Sequence, residues 1–174
     1  MVGKELHSEL DPTGSAPGSV EPARPRCRAC AEIAGEASAP GGTIFEDAHW
    51  FLSHHTGPYT DPGELILKLR RHCESIAELT REEGESLGPV LRAAVQAMQR
   101  TVAAERIYVV SFNERLRHLH FYLLPRTKDM PPGHVLSDLY RNARNLLRKL
   151  GVLRNPTAQQ RAEVAARIRA EWRT

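Results

Sequence analysis

The run Arg117-His118-Leu119-His120-Phe121-Tyr122-Leu123-Leu124-Pro125-Arg126 constrains this chain more than any other stretch. In extended backbone, alternate side chains leave on opposite faces. One face then carries Leu119, Phe121 and Leu123, an apolar stripe that requires a core. The other carries His118, His120 and Tyr122, three hydrogen-bonding groups in a row. Same-face neighbours on a strand stand roughly 6.5–7 Å apart, too far to share a proton but near enough to line one site. On the residues alone, the pair of histidines reads either as the solvated face of an edge strand or as a functional site.

The remaining pattern is α+β. Thr43–Glu46 and Trp50–Ser53 read as short strands joined at Asp47-Ala48, followed by a loop over His54–Gly63. Leu65–Leu69 is a third strand, which delivers the chain to His72, and Glu74–Leu79 a helical turn. Thr80 with Glu83 forms a capping box for a long helix to about Ala104. Leu87, Val90, Leu91, Ala94, Val95 and Met98 give that helix its buried stripe, and Pro89 is a point for a kink or a break. Arg106–Phe112 is a fourth strand, paired as a hairpin with the histidine strand through Asn113–Arg117. After Pro131-Pro132-Gly133, a helix with a strong stripe from Val135 to Leu150 ends at Gly151, and Asn155 is expected to cap a last helix begun by Pro156. The Pro- and Gly-rich residues 1–26 read as a flexible tail, residues 27–130 as the main domain and residues 131–174 as a C-terminal helical extension.

Composition excludes several classes. No run of eighteen apolar residues exists and no apolar leader opens the sequence, so neither a membrane span nor a secretory signal is expected. The net charge of +3 suits a phosphate-bearing ligand without requiring nucleic acid. The C-terminal arginines, Arg141, Arg144, Arg148, Arg154, Arg161, Arg167, Arg169 and Arg173, read as a solvated face with i,i+4 pairs, and no nucleic-acid motif accompanies them. Three cysteines without a disulfide framework fit a cytoplasmic location. There, Cys27-x-x-Cys30 reads as a metal-binding pair, a redox pair or two free thiols, and Cys73 as a buried, inert thiol.

The stretch His118-Leu119-His120-Phe121-Tyr122-Leu123-Leu124 resembles the signature of the histidine triad (HIT) superfamily, with tyrosine at the third histidine's place. The likeness extends through Gly63–Thr80, Glu105–Ser111 and Cys27-x-x-Cys30, about the middle hundred residues. It implies an antiparallel sheet of about five strands with a long helix packed on one face, and a homodimer. It also implies a structural zinc ion on Cys27, Cys30, His72 and His118, as in related galactose-1-phosphate uridylyltransferases. The middle histidine, His120, would attack the α-phosphate of a nucleotide and carry it covalently, with Tyr122 donating toward the phosphate or leaving group. Ser111, Asn113 and Arg115 stand where relatives line the phosphate pocket. Arg115 brings a permanent charge suited to phosphate, and Asn113 tolerates left-handed backbone.

The resemblance therefore implies a nucleotide hydrolase or nucleotidyltransferase, with a dinucleoside polyphosphate or nucleoside phosphoramidate as substrate. Two departures favour an alternative, a non-catalytic nucleotide-binding module. Tyr122 replaces a histidine, and His54-His55-Thr56-Gly57-Pro58 occupies the place of a ribose-binding aspartate.

Overall fold

A computed structural model describes residues 27–172; the expected tail over residues 1–26 and Arg173 lie outside the described residues. The element order is α1 (Arg28–Ile33), β1 (Thr43–Glu46), β2 (Trp50–His54), β3 (Leu65–Leu69), α2 (Arg81–Thr101), β4 (Ala104–Val110), β5 (His120–Thr127), α3 (His134–Lys149) and α4 (Ala158–Ala170). The five strands form one antiparallel sheet in the order β1-β2-β3-β5-β4, so the expected α+β architecture is present.

Period two decides which face is buried. Leu65, Leu67 and Leu69 of β3 align with Trp50 and Leu52 of β2 and with Phe121 and Leu123 of β5. Together with Leu119 they form the core against Val90, Ala94, Ala97 and Met98 of α2. Thr80 and Glu83 cap α2 as the sequence anticipates, and the helix runs through Pro89 unbroken. Trp50 closes the core by donating its indole N–H to Ser86 Oγ at 2.9 Å.

Helix α4 enters the same core through Val164, Ala165 and Ile168. Its close approach depends on Gly41, where a Cβ would fall 2.7 Å from the Ala165 Cβ. Trp172 beyond its end stacks on Phe45 at 4.3 Å. The cap of α4 is Thr157 rather than Asn155. Thr157 and Gln160 form a reciprocal capping box, which satisfies two orphan amides where Asn155 offers one oxygen.

Arg141, Arg148, Arg161 and Arg169 bond back onto the protein, whereas Arg154 and Arg167 stay on the expected solvated face. Arg141 bonds Glu64 and the Pro125 carbonyl, and Arg148 bonds Asp61 and the Tyr59 carbonyl. Arg161 donates to the Gly57 carbonyl and Arg169 to the Thr43 carbonyl. A guanidinium carries five donors in a rigid fork and reaches carbonyls that lysine cannot serve as well. The Arg141 and Arg148 contacts hold α3 over the loop between β2 and β3, with these arginines inward and its leucines outward, while Arg161 and Arg169 tie α4 to that loop and to β1.

That loop is also held by His54. Its Nδ1–H donates to the His55 carbonyl at 2.9 Å, and its Nε2 accepts the amide of Gly63 at 3.0 Å. Both bonds need a neutral ring, and burial, with the nearby Arg161 charge, pushes its pKa below the usual imidazole value. Below pH ~6.5 the unfolded chain takes up a proton that the folded chain refuses, so stability falls as pH drops toward the folded pKa, by about 1.4 kcal/mol per pH unit for one such group. In urea titrations at pH 7, 6 and 5, His54→Gln is expected to lose stability less steeply than wild type. A parallel decline would show that His54 does not titrate this way.

Candidate metal centre and catalytic cleft

The chain bends just before β5, so the regular strand starts at His120 rather than at Arg117. His118 sits at that bend and is fully buried. Its Nε2–H donates to the Leu69 carbonyl at 2.7 Å, which leaves Nδ1 as the lone-pair nitrogen. Nδ1 faces Cys27 Sγ at 3.4 Å and Cys30 Sγ at 3.6 Å, and His72 Nδ1 lies 3.5 Å from Cys30 Sγ. His72 stands three residues beyond the end of β3, not at it. Cys27 and Cys30 come together because α1, which begins at Arg28, wraps the pair around its first turn. The sequence pattern did not reveal that six-residue helix.

The four ligand atoms of Cys27, Cys30, His72 and His118 lie within 4.8 Å of one another. Zinc–sulfur and zinc–nitrogen bonds of ~2.0–2.3 Å give a tetrahedron with edges of roughly 3.3–3.8 Å. The S···N separations of 3.4, 3.5 and 3.6 Å fall in that range, and the Leu69 carbonyl supplies the outer hydrogen bond that orients a metal-binding imidazole. The residues therefore fit the ion. Burial and the neighbouring Cys27 sulfur push the Cys30 thiol up to about 11, a crowding that a divalent cation would relieve. Cys73 stays apart, buried, with its thiol donating to the Ser75 carbonyl.

His120 is the first residue of β5, opposite Lys68 of β3. Its Nδ1–H donates to the His118 carbonyl at 2.6 Å, so the neutral ring carries its lone pair on Nε2. Burial, with the Lys68 charge nearby, lowers its pKa and keeps that lone pair free. The residue is only 2% exposed, yet it forms part of the wall of a cleft of about 230 Å³ with Phe112, Asn113, Arg115 and Tyr122. Tyr122 packs edge-on to His120 at 4.9 Å. Burial raises its pKa, so its phenol is a neutral donor.

Asn113 adopts φ 51°, the left-handed conformation that asparagine tolerates. Its side-chain oxygen accepts the His120 amide at 3.3 Å, while the Ser111 hydroxyl donates to the His120 carbonyl at 2.7 Å. Both side chains thus hold the backbone that presents the imidazole. Arg115 lines the cleft directly.

Two contributors, Phe112 and Lys68, were not singled out from the sequence. Phe112 is 60% exposed at the cleft. Lys68, paired with His120 across β3 and β5, is buried, its ammonium 2.9 Å from Glu32 Oε1 and 2.7 Å from Ser53 Oγ. The Ser53 hydroxyl in turn donates to Glu32 at 2.6 Å, which closes the triad. A lysine in the middle of an apolar strand was the available signal for this cluster. His55, which with His54 reads from the sequence as a candidate pocket residue on the loop, stands edge-on to Tyr122 at 5.5 Å. Thr60 donates to the Gly57 carbonyl, so His55 Nδ1–H donates to Thr60 Oγ1 at 2.8 Å. Burial pushes the His55 pKa down to about 4, so it too is neutral.

No protein-family model and no curated protein matches the chain. Solved structures do. The chain is similar to a zinc-bound histidine triad family protein from Mycobacterium smegmatis, at 20% identity and TM-score 0.60, over 84% of this chain and 92% of that one. A HIT-like protein involved in cell-cycle regulation from Bartonella henselae gives 17% identity and TM-score 0.59, over 81% and 92%. A HIT family member from Bacillus subtilis gives 20% and 0.52, over 76% and 100%. At these identities the likeness establishes the fold.

Proposed function

We propose that this chain, which has the histidine triad fold, is a zinc-containing enzyme that transfers the α-phosphoryl end of a nucleotide through a covalent intermediate on His120. The observation that carries the reading is the His120 ring: Nδ1–H tied to the His118 carbonyl and the ring lining an open cleft. His120 Nε2 attacks the α-phosphorus, and the bond from phosphorus to the leaving group breaks. The positive charge gained by the ring is shared with the His118 carbonyl through Nδ1–H. Tyr122 donates its phenolic hydrogen bond toward a phosphate oxygen or the leaving group, and Arg115 holds phosphate charge at the cleft. Water or a second acceptor then attacks the same phosphorus, and His120 leaves with its lone pair restored. Phe112 offers an exposed aromatic face on which a base can stack.

Cys27, Cys30, His72 and His118 would hold a zinc ion, and four protein ligands with no open position would make it structural. His118, held at Nδ1 when the metal is bound, presents the carbonyl that sets the tautomer of His120. The expected substrates are dinucleoside polyphosphates or nucleoside phosphoramidates, and the expected location is cytoplasmic. No helix among the described residues is long and apolar enough to cross a membrane.

Incubation with a nucleoside phosphoramidate, quenched in alkali to preserve the P–N bond, tests the reading by intact mass. Wild type should gain one nucleotidyl group and His120→Ala none. Equal labelling of both proteins would reject the mechanism. Tyr122→Phe is expected to lower kcat about 100-fold while leaving nucleotide affinity within a few-fold, as removal of one transition-state donor does. An unchanged kcat would show that the phenol takes no part.

A second reading, a binding module without turnover, is favoured by Tyr122 itself, since a neutral phenol stabilises developing charge less than an imidazolium. Calorimetry that shows tight nucleotide binding with no turnover, unimproved in Tyr122→His, would support it.

A further inference from the structure

Helix α1 is tied down at both ends, and the ties fix its course. Its cap residue Cys27 meets His118, just before β5, at 3.4 Å. Near its other end Glu32 accepts from Ser53 of β2 at 2.6 Å and pairs with Lys68 of β3 at 2.9 Å. The helix therefore crosses the sheet on the face turned away from α2, where Lys68, His120 and Tyr122 stand. Arg28 precedes Glu32 by four residues, so both leave α1 on the same side, one turn apart. Glu32 is buried on that side, which sets Arg28 toward the sheet at the His118 end of the helix. Arg28 is exposed and makes no hydrogen bond or ion pair among the described residues. Its charge nonetheless reaches the site, since after burial it is one of the influences that hold the His55 pKa down. Arg115, exposed and likewise unpaired among the described residues, is felt at Tyr122 instead.

Arg28 and Arg115 thus flank His120 from opposite sides. Strand β5 lies between β3 and β4. Arg115 stands on the connection from β4 to β5, and Arg28 on the helix that crosses toward β3. With strands ~4.8 Å apart, the two flanks are roughly 10 Å from each other. We propose that Arg28 binds a second phosphate of the substrate, carried by the leaving group, so that the preferred donor is a phosphoric anhydride of the dinucleoside polyphosphate class rather than a phosphoramidate. The inference rests on the reading of His120 as the nucleophile at the α-phosphorus. Phe112 and Arg115 then hold the nucleoside and the attacked phosphate on the β4 side, and the departing end extends toward α1.

The proton inventory points the same way. When His120 Nε2 attacks an anhydride, the bond from phosphorus to the bridging oxygen breaks and its electron pair stays with the departing phosphate, which leaves as an anion without a proton. An amine that leaves a phosphoramidate must take one up. The groups around His120 are poor sources. His55 gives its Nδ1–H to Thr60, and His120 gives its own to the His118 carbonyl. Tyr122 donates a hydrogen bond, but burial holds the proton on its phenol. Glu114, the carboxyl side chain of the cleft wall, belongs to the Arg115 flank. What the α1 flank offers is positive charge. Lys68 spends its own on Glu32, and Arg28 remains to balance the anion that departs. A phosphoramidate reacts at the same histidine, more slowly.

Calorimetric titration of the full zinc-loaded chain with the monophosphate and the diphosphate of each common nucleoside tests the contact, and turnover of a dinucleoside tetraphosphate and a nucleoside phosphoramidate tests its use. Wild type is expected to bind the diphosphate about tenfold or more tighter than the monophosphate. Arg28→Gln should abolish that preference while monophosphate affinity stays within about twofold, and Arg28→Lys should retain part of it. Arg28→Gln should also lower kcat/KM about tenfold or more for the tetraphosphate and less than about twofold for the phosphoramidate, with zinc content and circular dichroism unchanged. Equal affinity of wild type for the two nucleotides overturns the proposal. So does an Arg28→Gln that weakens both substrates alike, which would mark a structural role beside Cys27 and Cys30. An adduct on His120 that forms from the tetraphosphate at the wild-type rate in Arg28→Gln overturns it too and leaves the nucleophile standing. A diphosphate preference that depends on Arg28 in a protein without any His120 adduct upholds the phosphate contact and rejects the nucleophile instead.

Discussion

Loss of zinc is expected to lower the stability of this protein by about 3–5 kcal/mol, which for a chain of this size moves the melting midpoint by roughly 10 °C. The four ligands come from α1, from the segment after β3 and from the bend before β5, which are far apart in sequence. Without the ion, two thiols and two imidazoles remain packed together with little to attract them. The loss stays below the full binding energy of a structural zinc because the core against α2 and α4 forms without it. Turnover should fall further than stability. His118 loses its Nδ1 anchor, its carbonyl moves, and the bond that fixes the His120 tautomer goes with it. Cys30→Ser should show both effects below its own melting temperature: less than one zinc per chain by metal analysis, and at least a tenfold drop in kcat. A variant that keeps its zinc and its melting point would remove Cys30 from the metal set.

His120→Ala has the largest expected effect on chemistry. Deletion of the nucleophile of a covalent mechanism closes the route rather than slowing it, and losses of 10⁴-fold or more in kcat/KM are ordinary for such groups. Stability should change far less. The imidazole faces a cleft, and its backbone is held independently by Ser111 and Asn113. Nucleotide affinity should survive in part, since Arg115 and Phe112 remain. Circular dichroism, calorimetric titration with a nucleoside monophosphate and a turnover assay on one preparation separate the three quantities. A loss of less than tenfold in kcat/KM would show that another group performs the displacement.

Strict alternation made the centre of this fold legible in the sequence. Leu119, Phe121 and Leu123 on one side and His120 and Tyr122 on the other are set by strand geometry, which no tertiary contact needs to supply. The capping box at Thr80 and Glu83 was readable because its signal is local. What the sequence hid depends on distant partners. A lysine in β3 gives no indication that Glu32, thirty-six residues earlier, will pair with it in the interior. An arginine-rich amphipathic helix is ordinarily read leucines inward, and α3 is reversed because its arginines find Glu64, Asp61 and free carbonyls in the loop beside it. The Thr157 cap was missed for a narrower reason. Pro156 suits the first turn of a helix, but here it precedes the cap.

The most direct test follows the two nitrogens of one ring. In protein labelled with ¹⁵N-histidine, His120 is expected to carry its proton on Nδ1 and its lone pair on Nε2. After reaction with a nucleoside phosphoramidate, phosphorus coupling should be seen at His120 Nε2 and at no other histidine nitrogen. A phosphorus bond at Nδ1, an adduct on another residue, or a turning-over enzyme with no adduct would contradict the role assigned to this imidazole.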